Sequence, residues 1–163
     1  MIRIGFSKDV HELVDGDKLL LGGIEIDHYK KSKGYSDGDC LLHAIAEALL
    51  GALALGDLGK FFPDTHPRYK GYDSKLILKE VYDFVSGKGY EINNIDCMIS
   101  LEKPKLRPYI DEMRSAIAKV LGCSKKQISI KATTFEGLGF IGEEKGILCE
   151  AIVLLERSEY LYE

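Results

Sequence analysis

Residues 36–56 read SDGDCLLHAIAEALLGALALG, and this stretch decides how the chain folds. Its large apolar residues fall on one broad face of a helix: Leu41, Leu42, Ile45, Leu49 and Leu50. Ser36 or Asp37 is predicted to cap that helix, which ends before Gly56. Its part from Cys40 to Gly56 is the most apolar stretch of the chain, but it contains ionisable side chains and is too short to span a bilayer. It therefore predicts a helix of a globular domain.

Predicted strands lie on both sides of this helix. They cover residues 2–4, 18–26, 92–101, 128–133 and 147–155, and two adjacent glycines predict a bulge or kink within the second. One further helix is capped by Asp73, and another begins near Pro108 and is ended by Gly122. Residues 57–71 form a long polar loop, and loops of that length are often functional. The order predicts an α+β fold, with a mixed four- to five-stranded β-sheet and helices packed on one side.

Length and composition predict one globular domain. The chain has 163 residues, 45% of them apolar and 29% charged, an ordinary balance for a single domain spanning residues 1–163. Its net charge of −4 argues against a nucleic-acid or anionic-membrane partner. The first residues lack the apolar segment of a signal peptide, and the four cysteines form no CxxC pair. These features predict a cytosolic protein with reduced, buried thiols.

Asp9, His11 and His43 form a candidate metal site. Residues two apart in an extended segment face the same way, so Asp9 and His11 can approach one ion. His43, in the first turns of the predicted helix, can supply a second imidazole. Two histidines and one carboxylate leave one position of a tetrahedral zinc ion open, as in catalytic sites. The spacing alone also fits histidines that are unrelated in the fold.

Three other segments carry groups suited to phosphate chemistry. Ser36 can hydrogen-bond a substrate beside the metal while the acids that follow it orient His43, although the same residues also suit a helix cap. Residues 131–136 read KATTFE. The hydroxyls and backbone amides of this segment can bind phosphate, and Glu136 can hold Mg²⁺ or Mn²⁺. The threonines also suit an ordinary strand, because threonine favours β-structure. Lys105 can attract a diphosphate or be a solvated surface lysine.

Residues 137–142 read GLGFIG and match the dinucleotide-binding pattern GxGxxG. That interpretation requires a helix directly after the glycines, within a βαβ unit, and an acid about 20 residues later. Here the strand-like run at residues 147–155 follows instead. We therefore predict that this segment does not bind a dinucleotide.

Several specific motifs occur together and in order along the chain. The densest are DVH at 9–11, SDGD with a later histidine at 36–43 and ALGDLGKFFPDT at 54–65. KATT at 131–134 and LGF at 138–140 follow in the same order. In these motifs the chain resembles the 2-C-methyl-D-erythritol 2,4-cyclodiphosphate synthase family. The resemblance covers the whole chain except a variable tail after about residue 156.

The resemblance implies a phosphorus–oxygen lyase of the non-mevalonate (MEP) pathway of isoprenoid biosynthesis. The family converts 4-diphosphocytidyl-2-C-methyl-D-erythritol 2-phosphate into the cyclic 2,4-diphosphate and releases CMP. It also implies a homotrimer with active sites between adjacent subunits. The expected location is cytoplasmic, or a plastid-type organelle if the chain is a processed eukaryotic form.

The resemblance further implies roles for individual residues. Asp9, His11 and His43 would bind zinc or another divalent ion. Glu136 would contact a second ion, Mg²⁺ or Mn²⁺, bridging the substrate diphosphate, and Thr134 would be the transition-state hydroxyl. The implied substrate contacts are Asp9, His11, Tyr35, Ser36, Asp57, Gly59, Phe62, Asp64, Leu101, Pro104, Lys105, Leu106, Arg107, Ala132, Thr133, Thr134, Glu136 and Phe140.

Within that implied substrate site, different residues would contact different parts of the substrate. Asp57 and Gly59 would contact sugar hydroxyls, and Asp64 would contact the methylerythritol. Residues 101–107, including Lys105, would form the cytosine pocket.

The chain departs from the family pattern at a few positions. Tyr35 stands where the family usually has histidine; because a phenol can still donate a hydrogen bond, Tyr35 remains a candidate catalytic residue. Lys8 and Glu143 stand where the family often has phenylalanine and arginine beside a cavity on the trimer axis. We predict that they pair with each other and that the cavity excludes an isoprenoid diphosphate. Another metal-dependent phosphoester enzyme and a non-catalytic binding module remain alternative functions.

Overall fold

The computed structural model describes residues 1–158. Its strands are β1 (Ile2–Asp15), β2 (Lys18–Leu21), β3 (Ile24–Asp27), β4 (Lys30–Ser32), β5 (Tyr90–Ser100), β6 (Ile128–Thr133) and β7 (Gly146–Arg157). Its α-helices are α1 (Cys40–Ala52), α2 (Leu58–Phe61), α3 (Ser74–Gly87), α4 (Ile110–Leu121) and α5 (Gly139–Gly142). The last part of the predicted variable tail, residues 159–163, lies outside the described residues.

A five-stranded sheet in the order β4-β1-β7-β5-β6 forms one layer of the fold. β1 and β7 pair antiparallel, from Ile2 opposite Glu156 to Glu12 opposite Gly146. β5 is antiparallel to β7, whereas β6 is parallel to β5. The chain passes from β5 to β6 through α4, since two parallel neighbouring strands need a long crossover connection. The sheet is therefore mixed, and its helices lie on one side, which confirms the predicted α+β fold.

The helix predicted from residues 36–56 is α1, and it packs across β1 and β7. All five apolar residues of its predicted face are buried, and burial of each such side chain contributes about 1.5–3 kcal/mol. Gly5 of β1 allows the helix backbone to come close, since a Cβ atom there would lie 1.8 Å from the carbonyl oxygen of Ala48. The contact brings the amino-terminal end of α1 to the middle of β1.

The two faces of β1 have different environments. Gly5, Ser7 and Leu13 face α1 and are buried. The alternate residues point away from the helices, and the four apolar ones from Ile2 to Val10 are 53–68% exposed: Ile2, Ile4, Phe6 and Val10. Among residues 1–158 of a single chain, no element packs over this side of the sheet.

Two predicted strands have different bounds in the structure. β1 continues to Asp15 instead of ending at residue 4, because its pairing with the long β7 supports it. The predicted single strand at 18–26 is a hairpin of β2 and β3. Gly22 and Gly23 adopt positive φ values of 62° and 79°, which glycine tolerates without steric cost, so the expected bulge is a tight turn.

The cap of α1 also differs from the prediction. The N-cap is Asp39, not Ser36 or Asp37, and its carboxylate accepts the backbone N–H of Leu42 at 3.1 Å. The same carboxylate accepts the N–H groups of Gly22 and Gly23 at 3.0 and 2.8 Å. One buried side chain therefore joins the start of α1 to the β2–β3 turn.

The remaining segments agree with the predictions in outline. The polar loop at 57–71 contains α2 and a 3₁₀ turn at Pro67–Tyr69, and α4 ends at Gly122 with a left-handed φ of 64°. The glycine run at 137–142 leads through α5 into β7, which is antiparallel to both its neighbours, so no βαβ unit exists there. Within residues 1–158, no helix has both the length and the apolar character to cross a membrane.

The cysteines are unpaired, as predicted, but they are not all buried. Cys40, Cys97 and Cys149 lie in the core, whereas Cys123 is half-buried. Burial raises the pKa of the Cys97 thiol to about 12. The core cysteines therefore act as small apolar residues.

Candidate active site

Three predicted metal ligands meet where β1 passes the first turn of α1. Asp9 and His11 project from the same face of β1, and His43 projects towards them from the helix. Asp9 Oδ2 lies 2.7 Å from His11 Nε2 and 3.3 Å from His43 Nδ1. The two imidazole nitrogens are 3.3 Å apart. The close packing of α1 on β1 thus produces a compact group of three donor atoms.

The geometry of this group suits a metal ion. Tetrahedral zinc ligands about 2.0–2.1 Å from the ion lie about 3.4 Å from one another, and two of the three separations are close to that value. Asp9 Oδ2 is also buried and makes no hydrogen bond of normal geometry with the described residues. A buried oxygen without such a partner is costly unless a cation or other group satisfies it. The three residues can therefore hold a divalent ion.

Electrostatics also favour cation binding at this position. Burial alone raises the pKa of Asp9, but the imidazoles of His11 and His43 offset this effect and lower it to about 2. Burial lowers the pKa of His43, but Asp9, assisted by Asp39 and Asp37, raises it overall. The site is therefore an ionised carboxylate beside an imidazole whose pKa the neighbouring carboxylates raise, so the negative charge that attracts a cation is in place.

The three predicted metal ligands line a cleft of about 690 Å³. Tyr35 and Ser36 lie on one side, and Gly59, Phe62 and Asp64 come from α2 and the loop after it. Five predicted substrate contacts therefore share a cleft with the metal ligands. Asp57 does not line this cleft, and its carboxylate caps α2 by accepting the N–H of Lys60 at 3.1 Å.

A second cleft, of about 750 Å³, lies beside the ends of β5 and β6. Its lining contains eight predicted substrate contacts: Leu101, Pro104, Lys105, Leu106, Arg107, Ala132, Thr133 and Thr134. Among residues 1–158, the two clefts share no lining residue. Glu136 and Phe140 line neither cleft. The structure therefore divides most of the predicted site residues between the metal cleft, which contains Asp9, His11 and His43, and this β5–β6 cleft.

Two side chains near the clefts have contacts that the sequence did not predict. The Tyr35 hydroxyl donates a hydrogen bond to the carbonyl of His66 at 3.1 Å, so it anchors the 57–71 loop as well as lining the metal cleft. Glu143 pairs with Lys145 at 2.6 Å, because the tight turn before β7 brings these neighbours together. Within the chain this replaces the predicted pair with Lys8.

Sequence reasoning missed Glu102. Its carboxylate accepts the backbone N–H groups of Phe135 and Gly137, both at 3.0 Å. Glu102 thereby holds the loop that carries Thr134 and Glu136. Its position close to Pro104 and Lys105 was the only hint in the sequence that Glu102 lies near the site. No local spacing could predict its contacts with Phe135 and Gly137, which lie more than 30 positions later.

The fold and the site define an α+β protein in which three side chains able to hold a metal ion line an open cleft. Comparison with known proteins gives a narrower class. A family model described as the YgbB family matches residues 2–156. The chain is 54% identical over 156 residues to 2-C-methyl-D-erythritol 2,4-cyclodiphosphate synthase of Natranaerobius thermophilus, covering 96% of this chain and 99% of that one. The chain belongs to the YgbB family.

A second relative and two solved structures agree with this assignment. The synthase of the same name from Moorella thermoacetica is 55% identical, with 94% of each chain covered. The structure of the bifunctional IspDF from Campylobacter jejuni matches 96% of this chain and 42% of its own, with a TM-score of 0.93 and 40% identity. A CDP complex of IspF from Plasmodium falciparum matches 97% of both chains, with a TM-score of 0.85 and 34% identity.

Proposed function

We propose that this protein is a cyclodiphosphate synthase of the non-mevalonate pathway, acting as a phosphorus–oxygen lyase in the cytoplasm. It would convert 4-diphosphocytidyl-2-C-methyl-D-erythritol 2-phosphate into 2-C-methyl-D-erythritol 2,4-cyclodiphosphate and CMP. The observation that carries the proposal is the convergence of Asp9, His11 and His43 in a chain 54% identical to a synthase of that name. The CDP bound in a solved relative supports a cytidine nucleotide as ligand.

The reaction suits a site built for positioning and charge neutralisation. An oxygen of the substrate 2-phosphate attacks the β-phosphorus, the bond from that phosphorus to the bridging oxygen breaks, and CMP leaves. The attacking phosphate is ionised at pH 7 and the leaving group is a stabilised phosphate, so neither a strong base nor a strong acid is needed. Bound divalent ions supply the positive charge that offsets repulsion between the phosphates.

Each cleft would contribute a different part of this machinery. Asp9, His11 and His43 would hold zinc, and Glu136 would hold Mg²⁺ or Mn²⁺ against the diphosphate. In the β5–β6 cleft, residues 101–107 would bind the cytosine. Thr133 and Thr134 at the end of β6 would donate hydroxyl hydrogen bonds to phosphate oxygens. The remaining implied contacts of the metal cleft are Tyr35, Ser36, Gly59, Phe62 and Asp64.

We also propose that the chain forms a homotrimer with each active site between two subunits. The uncovered side of β1 carries exposed Ile4 and Phe6, and β7 adds Ile152, which is 49% exposed. An exposed group of apolar side chains of this kind is typical of a surface that packs against another copy of the chain. Assembly would bring the metal cleft of one chain next to the β5–β6 cleft of its neighbour, and this would account for their separation within one chain.

Incubation of the pure protein with the cytidyl substrate, zinc and Mg²⁺ or Mn²⁺ tests the activity. CMP together with the cyclic product supports the proposal. Linear hydrolysis products would instead indicate another metal-dependent phosphoester enzyme. Absence of both turnover and bound zinc, in protein assembled and supplied with metal, would indicate a non-catalytic module.

A further inference from the structure

The two ring nitrogens of His43 face different environments. Nδ1 points into the metal site, 3.3 Å from both Asp9 Oδ2 and His11 Nε2. Nε2 points away from it and contacts two hydroxyls, Ser74 Oγ at 2.7 Å and Ser36 Oγ at 3.0 Å. The environment of Nε2 decides which nitrogen carries the proton in the neutral ring, and therefore whether Nδ1 has a free lone pair for a metal.

Ser74 is fully buried and is the first residue of α3. Asp37 holds it at two points: the Ser74 backbone N–H donates to Asp37 Oδ2 at 2.9 Å, and the Ser74 hydroxyl donates to Asp37 Oδ1. Asp37 is itself fixed, since its backbone N–H donates to the carbonyl of Tyr72 at 3.1 Å. The start of α3 is thus joined to the turn that precedes α1.

The direction of the hydrogen bonds follows from the chemistry of the carboxylate. An ionised carboxylate can only accept, so the hydroxyl proton of Ser74 is committed to Asp37. The Ser74 oxygen therefore presents lone pairs to His43 and can only accept from Nε2–H. With its proton on Nε2, the neutral ring of His43 presents an unprotonated Nδ1 towards Asp9 and His11.

We propose that Ser74, oriented by Asp37, is a positioning residue that fixes the tautomer and the ring orientation of His43 for metal binding. The inference rests on the proposed metal site. Ser36 provides a contrast, because it touches the same nitrogen but its hydroxyl donates to no carboxylate within residues 1–158. Ser36 can accept or donate, so it does not determine the position of the proton.

Metal affinity, measured without substrate, tests the inference. Zinc affinity would be determined by competition with a chelator for the wild type, Ser74→Ala and the matched control Ser36→Ala. We expect Ser74→Ala to weaken zinc binding about 10- to 100-fold, the usual effect of losing a hydrogen-bond partner of a metal-binding histidine. Ser36→Ala should change it less than about threefold, and Ser74→Thr, which restores the hydroxyl, should recover affinity. Equal loss in both alanine variants, or none in Ser74→Ala, would overturn the inference while leaving the metal site intact.

A second measurement does not depend on how the variants fold. In the zinc-free wild type, ¹⁵N NMR of the neutral His43 ring should show the proton on Nε2. A proton on Nδ1 would overturn the inference. If the wild-type protein bound no zinc at all, this result would contradict the proposed function as well. Failure of the inference and failure of the proposed function are therefore distinguishable.

Discussion

Asp9, His11 and His43 come from two elements, yet their donor atoms lie within 3.3 Å of one another. This proximity has a consequence for activity. His11→Ala and His43→Ala should each reduce turnover by more than 100-fold, because positioning of charge, not proton transfer, carries the reaction in the proposed mechanism. Steady-state kinetics with zinc analysis would check this.

Tyr35→Phe is the matched comparison for the histidine variants. It removes a hydroxyl that lines the same cleft but donates to a loop carbonyl. Its loss of activity should be smaller, about tenfold or less, the scale of one hydrogen bond. Activity that survives in the histidine variants but disappears in Tyr35→Phe would contradict the assignment of the metal ligands.

The pH dependence of zinc binding follows from the shifted pKa values. The pKa of Asp9 is lowered to about 2, so this carboxylate stays ionised at any pH where the protein is assayed near neutrality. The pKa of His43 is raised, so its proton competes with zinc up to a higher pH than for an ordinary histidine. Zinc affinity should therefore fall as the pH drops through the raised pKa of His43, by about tenfold per unit for one displaced proton. Chelator competition between pH 5 and pH 9 would measure the slope, and an affinity independent of pH would contradict this account.

At the scale of elements, the contact of α1 with β1 places His43 opposite Asp9 and His11. The apolar spacing of residues 41–50 was enough to predict α1, since a helix face is a local pattern. The length of β1 was not predicted, because it depends on pairing with β7, more than 130 positions away. The Asp39 cap was missed for a similar reason, since two of its three N–H partners belong to the β2–β3 turn.

Two glycine substitutions test the close approach of α1 and β1. Gly5→Ala would place a Cβ atom 1.8 Å from the Ala48 carbonyl oxygen, so the helix must move and we expect a loss of about 2–4 kcal/mol in the free energy of unfolding. Gly51→Ala, in α1 with no atom within 4 Å of the added methyl, should instead stabilise the protein by about 0.5–1 kcal/mol. Urea denaturation would compare them. A neutral effect of Gly5→Ala would show that the interface is looser than described.

At the scale of the whole molecule, residues 1–158 of one chain leave an apolar side of the sheet uncovered and keep the two clefts apart. Ile4→Lys places a charge on a β1 residue that is 68% exposed in one chain. Because a proposed trimer would bury this position, the variant should shift the protein to monomers and reduce activity together with assembly. Sedimentation equilibrium and activity at the same protein concentrations would test both effects.

Leu76→Lys is the control for that experiment. Leu76 is also a large exposed apolar residue, at 49%, but it lies on α3, away from the sheet face. It should leave the assembly state unchanged. A trimeric Ile4→Lys, or a wild-type monomer with full activity, would contradict the proposed interface.

Local patterns along the chain determined the main helix, the three later strands, the α+β class and the family, because side-chain periodicity, caps and short motifs act over a few residues. They also indicated Asp9, His11 and His43 as a possible group of ligands. The pairing of Glu143 with Lys145 instead of Lys8 is a local contact between residues two positions apart in a turn. Tertiary structure alone decided that Ser74 contacts His43 and that Glu102 holds the loop after β6. These two contacts join residues more than 30 positions apart. Such contacts depend on how the elements pack, which no spacing within one element encodes.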